Sequence, residues 1–254
     1  MTYVATVLAD APEALWTLDE SSGTTAADAT GNGHTGTYQT SAMVGGSSWG
    51  AITTPTFNGS TNRWVSVPPS SALSTHAGLS GVWSMDGMFL DGDPTSSATR
   101  MLLSVSDFPN GYEVFISKSG GHALMEISKM AGSGYDGSVA LISSSTPWPV
   151  GSGWHHVAVV YDRAASIFQW FVDGCLQDSA GLISGSSSYT GTVWRIGARG
   201  DSSGDRWLGS ISHLAIYPTA LTLGQIRGHV AAAGITPPCL HPPRTSVGIL
   251  VARA

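Results

Sequence analysis

The sequence predicts an all-β fold, a two-sheet antiparallel sandwich, and three observations support this. Between residues 14 and 217 the chain consists of short apolar or alternating runs separated by clusters of Gly, Ser, Asn and Asp, the pattern of strands joined by turns. It has 32 glycines, well above the usual share, so turns are many. Nine tryptophans and 42% hydrophobic residues provide enough apolar surface to build a core.

The strand pattern is clearest in the middle of the chain. The run from Trp154 to Tyr161 is apolar on both alternating faces, which indicates a central strand covered on one side by the second sheet. The next strand, 167–172, leads into Asp173-Gly174, a dipeptide favoured in type I′ hairpin turns, so these strands and residues 175–178 should form a meander. The predicted strands are residues 14–18, 64–67, 82–90, 100–105, 112–117, 123–129, 139–143, 154–162, 167–172, 193–197 and 207–217.

One helix is predicted, near the end of the chain. Thr222 is followed three residues later by Gln225, as in a capping box, and Ile226 and Val230 share one helical face. Gly234 should end this helix.

The two ends of the chain fall outside the predicted sandwich. Residues 2–8 are rich in β-branched and aromatic side chains, which favours a strand, and four prolines between 237 and 243 favour an extended segment. We expect both ends to dock, because the apolar cluster at 247–251 would promote aggregation if free, although a frayed tail is the common alternative. The predicted organisation is an N-terminal arm at 1–13, a sandwich domain at 14–233 and a Pro-rich C-terminal tail at 234–254.

Charge and composition exclude several classes of partner. The net charge is -6 with eleven Lys and Arg in all, so there is no basic stripe for a nucleic-acid backbone. No apolar run approaches the roughly 20 residues of a membrane span, and the first residues lack the features of a signal peptide. Cys175 and Cys239 allow one disulfide, and the sequence leaves open whether it forms.

Several segments, in order, match a known family. They include Leu15-Trp16-Thr17-Leu18-Asp19-Glu20, the loop Asp28-Ala29-Thr30-Gly31-Asn32-Gly33, Trp154-His155-His156-Val157-Ala158, Phe171-Val172-Asp173-Gly174 and Gly209-Ser210-Ile211-Ser212. From about residue 14 to 233 the chain resembles the laminin-G-like jelly-roll domains of the concanavalin A-like lectin/glucanase superfamily. The opening, Tyr3-Val4-Ala5-Thr6-Val7-Leu8-Ala9-Asp10-Ala11-Pro12, is similar to the start of such domains in minor tail proteins of actinobacterial phages.

The lectin-like resemblance implies carbohydrate binding. Such sandwiches stack aromatic rings on sugars and use Asp, Asn and Arg in loops for the hydroxyl groups. Trp16, Trp83, Trp154 and Trp170 lie in apolar strands and are expected in the core. The candidate carbohydrate-binding residues are Trp49, Tyr135, Trp148, Tyr189, Asp201, Asp205 and Trp207.

Catalysis is not expected. The four Glu residues, at 13, 20, 113 and 126, do not form the alternating acid pairs of a glucanase, and no strand-to-helix nucleophile elbow is predicted.

The sequence contains two candidates for a metal site. The resemblance implies calcium as a candidate cofactor, with Asp28 and Asn32 as ligands. Asn58 and the pair Ser212-His213 replace acidic residues of the family, which weakens such a site. His155 and His156 are adjacent, so they should point to opposite faces of their strand and cannot both bind one ion.

These observations predict a non-enzymatic minor-tail-type virion protein that binds glycan on the bacterial cell surface for host attachment. The alternative is a structural decoration or assembly protein of the same particle, with protein–protein contacts in place of sugar. Bacterial glycan, other virion proteins and a second copy of the chain are the expected partners, whereas nucleic acid and membrane are not. The expected location is the virion.

Overall fold

The computed structural model describes residues 2–60, 62–76, 81–94, 96, 98, 100–107, 110–119, 122–131, 134–143, 153–180, 194–199 and 205–239. Of residues 74–76, 105–107, 110–119, 122–131, 134–143 and 180 only the backbone is described. Within these residues two large antiparallel sheets form a sandwich, which confirms the predicted fold class.

The seven-stranded sheet holds the predicted meander. Its path is β1 (Ala14–Trp16), β17 (Leu208–Tyr217), β8 (Val82–Asp91), β13 (Trp154–Asp162), β14 (Ile167–Val172) and β15 (Cys175–Ala180), and β6 (Phe57–Asn58) also pairs with β17. The central strand β13 pairs with β8 and β14, so Val159 lies opposite Met85 on one side and Trp170 on the other.

The eight-stranded sheet includes short strands that the sequence did not reveal. Its order is β12 (Gly134–Ser143), β11 (His122–Ala131), β10 (Asn110–Ser119), β9 (Arg100–Asp107), β16 (Trp194–Ile196), β7 (Val65–Val67), β3 (Gly36–Tyr38) and β2 (Thr25–Ala26). A separate hairpin consists of β4 (Ser47–Trp49) and β5 (Ile52–Thr54).

The main core lies between the two sheets. Alternate side chains of each strand point inward, so that Val65 and Val67 of β7 face Val157 and Val159 of β13 in one buried cluster. The largest fully buried rings of this cluster are Trp16, Trp170, Trp194, Trp207, Tyr38 and Tyr161. Trp16, Trp83 and Trp170 are therefore core residues, as predicted.

Helices flank the sandwich. They are α1 (Tyr3–Ala9), α2 (Ser71–His76) and α3 (Leu223–Ala232), with a short 3₁₀ helix at Ser41–Met43. The capping box predicted at Thr222 and Gln225 is present and starts α3. The N-terminal segment is α1 and not the strand that its composition favoured, because Thr2 caps it and burial of Tyr3 and Val7 overrides local propensity. None of these helices is both long and apolar enough to cross a lipid bilayer, within the part of the chain that the structure describes.

The outer face of the seven-stranded sheet is covered by α1 and α3. A second buried cluster joins Tyr3 and Val7 of α1 and Ile226 of α3 to Ala158 and Val160 of β13. This explains why both faces of β13 are apolar: the eight-stranded sheet covers one, and the terminal helices cover the other.

A disulfide joins the segment after α3 to this sheet. Cys175 at the start of β15 is bonded to Cys239, with the two Cα atoms 5.6 Å apart. Ile235 also packs against the second cluster. The chain is thus held to the sandwich as far as Cys239. Residues 240–254 lie outside the described part, so docking of the apolar segment 247–251 stays a prediction.

Candidate functional site

The eight-stranded sheet has a row of polar residues across its strands. In β3, β7 and β16 the residues Thr37, Ser66 and Arg195 are each flanked by two buried residues, so they point away from the core. They also lie side by side in register, followed by Ser104 of β9. The register continues along the backbone through Glu113, Ser128 and Ser138, and on the other side to Thr25.

Four residues of this face make a connected group, called here the outer-face cluster: Gln39, Trp64, Ser66 and Arg195. The guanidinium of Arg195 lies over the ring of Trp64, 5.5 Å from the ring centroid. Trp64 Nε1 donates to Ser66 Oγ at 3.2 Å, and Gln39 Nε2 donates to the same oxygen at 2.9 Å. Trp64 is buried, with 8% of its surface exposed, and its ring supports Arg195, so the cluster presents amide, hydroxyl and guanidinium groups that can bind sugar hydroxyls.

Charged loop residues adjoin the outer-face cluster. Arg195 Nη1 donates to the carbonyl oxygen of Arg199 at 3.1 Å, and Arg199 in turn pairs with Asp205 at 3.5 Å. Both side chains of that pair are partly exposed. Asp205, one of the predicted binding residues, is thus linked through Arg199 to Arg195, and it stays a candidate for contact with a sugar.

Trp207 is corrected as a binding candidate. Its side chain is fully buried, its Nε1 donates to the Ser210 carbonyl oxygen at 3.3 Å, and its ring packs edge-on against Phe89. The turn-rich sequence around it suggested exposure, but Trp207 directly precedes β17 and points into the core. A surface sugar cannot stack on it.

Trp49 lies on the other side of the sandwich from the outer-face cluster. Its ring is half-buried and packs against Tyr3 at 5.2 Å, His213 at 5.3 Å and Trp154 at 6.3 Å between ring centroids. Trp154, expected in the core, is itself half-exposed and donates its Nε1 to the Ser48 carbonyl oxygen. These contacts give Trp49 a packing role beside α1, and the structure does not bring it together with Asp205.

The remaining candidates cannot be placed as side chains. The backbone of Tyr135 belongs to β12, where it pairs with Met130. Trp148, Tyr189 and Asp201 lie outside the described residues. These four stay predictions.

Asp28 organises the loop in which calcium was predicted. Its Oδ1 accepts hydrogen bonds from the backbone of Leu15 and from the N–H and hydroxyl of Thr30, and its Oδ2 accepts from the N–H of His34 at 3.0 Å. Burial raises the pKa of Asp28, but these hydrogen bonds outweigh it and lower the pKa. Asn32 donates its Nδ2 to the Glu13 carbonyl oxygen. The hydrogens directed at Asp28 do not favour a cation, and calcium binding stays a prediction.

His155 and His156 lie on opposite faces of β13, as predicted. His155 Nδ1 contacts Asp173 Oδ2 at 2.7 Å, whereas His156 is fully buried with its Nε2 3.2 Å from Asp86 Oδ2. His229 of α3 contacts the same Asp86 oxygen through Nδ1 at 2.5 Å. Burial raises the pKa of Asp86, but the contacts with His156 and His229 outweigh it and lower the pKa to about 2. Asp86, His156 and His229 form a group able to hold a metal ion among the residues described.

Comparison with known proteins places the fold in a family. A family model, Laminin_G_3, described as concanavalin A-like lectin/glucanases superfamily, matches residues 89–227, more than half of the chain. The chain belongs to this family. The laminin-G-like match includes Arg195 and Asp205 of the candidate site, and it confirms the resemblance at the level of the superfamily. No curated protein matches the chain.

Solved structures share this laminin-G-like fold. The binding domain of Paraclostridial Mosquitocidal Protein 1 has a TM-score of 0.64 at 11% identity, over 86% of this chain and 51% of that one. Domain 4 of AbnA, a GH43 extracellular arabinanase from Geobacillus stearothermophilus solved with arabinotriose, has a TM-score of 0.59 at 18% identity. The match covers 86% of this chain and 98% of that one. Trypanosoma rangeli sialidase has a TM-score of 0.55 at 12% identity, and the match covers 85% of this chain and 32% of that one. The chain spans about half of the mosquitocidal domain and nearly all of the arabinanase domain.

Sequence reasoning missed Trp64 and Arg195. The alternation Trp64-Val65-Ser66-Val67 does contain a signal, since it places Trp64 and Ser66 on one face. Arg195 is separated from Trp64 by more than a hundred residues, and their contact depends on the pairing of β16 with β7.

Proposed function

We propose that this laminin-G-like chain is a non-enzymatic, lectin-like virion protein of the phage minor tail type, which binds glycan on the bacterial cell surface through the outer-face cluster. The observation that carries the proposal is the position of Arg195 above Trp64, beside Ser66 and the Arg199–Asp205 pair. These groups offer several hydrogen-bond donors and one acceptor carboxylate on a partly exposed sheet face, as a polyhydroxylated ligand requires.

The family supports a carbohydrate ligand. Domain 4 of the arabinanase, which this chain covers almost completely in fold, was solved in complex with arabinotriose. Part of Trypanosoma rangeli sialidase shares the fold as well, so the fold alone does not decide whether the chain is an enzyme. The absence of catalysis is therefore part of the proposal. The phage origin rests on the sequence of residues 3–12, and the match to the family model does not include that segment.

The assembly alternative would require a broad apolar contact surface. Among residues with described side chains, the large apolar ones that are exposed are Leu8, Leu176 and Leu223, each at 36–38%. Leu176 and Leu223 line one cleft with Phe171 and Leu221. This small apolar surface favours the glycan proposal.

Binding to a glycan array and to isolated actinobacterial cell walls tests the proposal, with Arg195→Gln as the variant. Removing hydrogen bonds from a charged group, each worth about 1.5–3 kcal/mol, should weaken binding about tenfold or more. Arg227→Gln is the matched control, because Arg227 lies on α3 and donates to the Gly174 carbonyl oxygen.

Equal binding by the wild type and Arg195→Gln would place the site elsewhere. A wild-type chain that binds neither array nor cell walls, yet is found in purified phage particles by mass spectrometry, would favour the assembly alternative. Analysis of the purified chain by light scattering would show whether it forms the expected homo-oligomer.

A further inference from the structure

Three buried side chains from distant parts of the sequence meet under the terminal helices. Asp86 comes from β8, His156 from β13 and His229 from α3, and one ligand atom of each lies within 4.8 Å of the other two. All three side chains are fully buried. Buried groups of this kind are costly to desolvate, so their convergence requires a compensating interaction.

The surroundings of His229 match those of a metal-bound histidine. A ligating histidine usually directs its second ring nitrogen at a carboxylate or carbonyl group. His229 does so: its Nδ1 faces Asp86, and its Nε2 lies 2.9 Å from Asp10 Oδ2, just after α1. Asp86 is held in turn by Tyr217, whose hydroxyl donates to the second carboxylate oxygen at 3.1 Å.

Two polar atoms beside the cluster have no hydrogen-bond partner among the residues that the structure describes. The hydroxyl of Tyr3 and the Nδ1 of His156 are both buried without one. The Tyr3 ring is 6.4 Å from the rings of both His156 and His229, measured between centroids. An unpartnered hydroxyl in a buried site indicates a missing ligand or water, because native proteins satisfy almost all such groups.

We propose that Asp86 Oδ2, His156 Nε2 and His229 Nδ1 bind one divalent transition-metal ion of the zinc class. In tetrahedral coordination with bonds of about 2.0–2.1 Å, ligand atoms are roughly 3.3 Å apart. The separation of Asp86 Oδ2 and His156 Nε2, 3.2 Å, fits this geometry, whereas His229 Nδ1 lies 2.5 Å from the same oxygen and would have to move away by about 0.8 Å on metal binding. A water molecule would complete the coordination.

The charges balance with the ion in place. Asp86 and Asp10 supply two carboxylates around the neutral imidazoles, and a divalent cation compensates both. Without the ion, His229 lies between two carboxylates and carries a proton on each ring nitrogen, Nδ1–H directed at Asp86 and Nε2–H at Asp10. Binding of the metal at Nδ1 would release the Nδ1 proton to solvent, as is usual for histidine ligands, and leave the Nε2 proton directed at Asp10.

The site has a structural role. Three protein ligands with an open position are typical of catalytic zinc, but here α1 and α3 cover the ligands. The ion would connect α3 to two strands of the seven-stranded sheet and hold α1 through Asp10 and Tyr3. Because the ligands are far apart in the sequence, the folded chain alone can assemble the site, and the metal should raise the melting temperature.

The test uses the untagged, disulfide-bonded chain after removal of metals with EDTA. Calorimetric titration with Zn²⁺ should show one equivalent bound, with proton release seen as a dependence of the heat on the buffer. Co²⁺ in place of Zn²⁺ should give the visible absorption of a tetrahedral site with nitrogen and oxygen ligands. The melting temperature should rise with either metal.

Two adjacent histidines provide a matched pair of variants. His156→Gln should abolish the Co²⁺ absorption and the rise in melting temperature, whereas His155→Gln, on the opposite face of β13, should keep both. Asp10→Asn should weaken binding about 10–100-fold, the usual effect of losing a carboxylate behind a ligating histidine.

Wild-type chain that binds no Zn²⁺ and gives no Co²⁺ absorption would overturn the proposal. So would His156→Gln with unchanged metal binding, or His155→Gln with binding lost. If His156→Gln does not fold, the metal site is tested by the wild-type stoichiometry, the Co²⁺ spectrum and the His155→Gln control.

Discussion

The outer faces of the two sheets show how one alternating pattern leads to opposite outcomes. On the seven-stranded sheet the outward residues include Met88, Ala158 and Val160, and α1 and α3 cover them. On the eight-stranded sheet they include Ser66 and Arg195, which are in part exposed. Apolar outward residues are buried by the ends of the chain, which form a second layer over them. Polar outward residues leave a face available to a ligand.

The covered face has a consequence for polar groups. Asp86 of β8 points outward on the seven-stranded sheet, where the helices remove it from water, so His156, His229 and Tyr217 must satisfy its carboxylate. On the other sheet, Arg195 is partly exposed, so water can replace some of the partners that it loses. The energetic effect of mutations should therefore differ sharply between the two faces.

The largest expected effect is on the covered face, for Asp86→Ala. Removing one partner of a buried charged group leaves the others unpaired, so the free energy of unfolding should fall by about 3–5 kcal/mol. Urea unfolding in EDTA measures this without a contribution from metal. Asp93→Ala is the control, since its side chain is 40% exposed and pairs with Arg100 at 3.9 Å, and it should cost under about 1 kcal/mol. Similar losses for the two variants would contradict the comparison.

The disulfide should have the next largest effect. Cys175 and Cys239 are 64 residues apart in the sequence, and the bond limits the freedom of the unfolded chain. The double variant Cys175→Ala with Cys239→Ala should lose about 2–4 kcal/mol of unfolding free energy. An unchanged midpoint in urea would show that the bond does not contribute to docking of the segment after α3.

A pH effect is expected at His213, beside the covered face. Burial lowers the pKa of His213 to about 4, and its titratable neighbours are Asp19, which acts in the opposite direction, and Tyr3 of α1. The unfolded chain takes up the proton near pH 6.5 and the folded chain near pH 4. The folded state should therefore lose about 2–3 kcal/mol of stability as the pH falls through this window.

His213→Asn checks this prediction, since Asn does not titrate and tolerates the positive φ of 53° at this position. The difference in unfolding free energy between wild type and variant should change between pH 6.5 and pH 4. A constant difference over this range would mean that folding does not change the pKa of His213.

The smallest effect on stability is expected on the exposed face. Arg195→Gln removes the contact with the Trp64 ring, and a cation–π contact at a partly exposed site is worth about 0.5–1 kcal/mol. Thermal unfolding should therefore change little, although glycan binding should weaken about tenfold or more. A loss as large as that of Asp86→Ala would show that Arg195 is a structural residue and that the two faces do not differ.

Several parts of the fold followed from local patterns. The alternation of β13, the turn at Asp173-Gly174 and the capping box at Thr222 each predicted an element that is present, because each depends on neighbours in the sequence. The short strands β2 to β6 have too few residues to show a period. For α1, burial of Tyr3 and Val7 decided the structure against a strand-like composition.

The candidate site was predicted less well than the fold. Turn-rich segments predict exposed aromatic rings, but Trp207 is buried because it enters β17 directly. Asp205, a predicted binding residue, lies in a loop between strands and is linked to the outer-face cluster through Arg199. Trp64 was not identified, since burial under Arg195 is a property of the pairing between strands.

By itself the sequence determined the fold class, the family and most long strands, because hydrophobic periodicity and turn residues act over a few positions of the chain. Only the tertiary structure decided which outward face is covered and which residues meet there. His156 and His229 are 73 positions apart in the sequence, and they share one oxygen of Asp86 because α3 packs across β8 and β13. Such a meeting depends on strand register and helix docking, which are set by burial summed over the whole molecule and have no local signal.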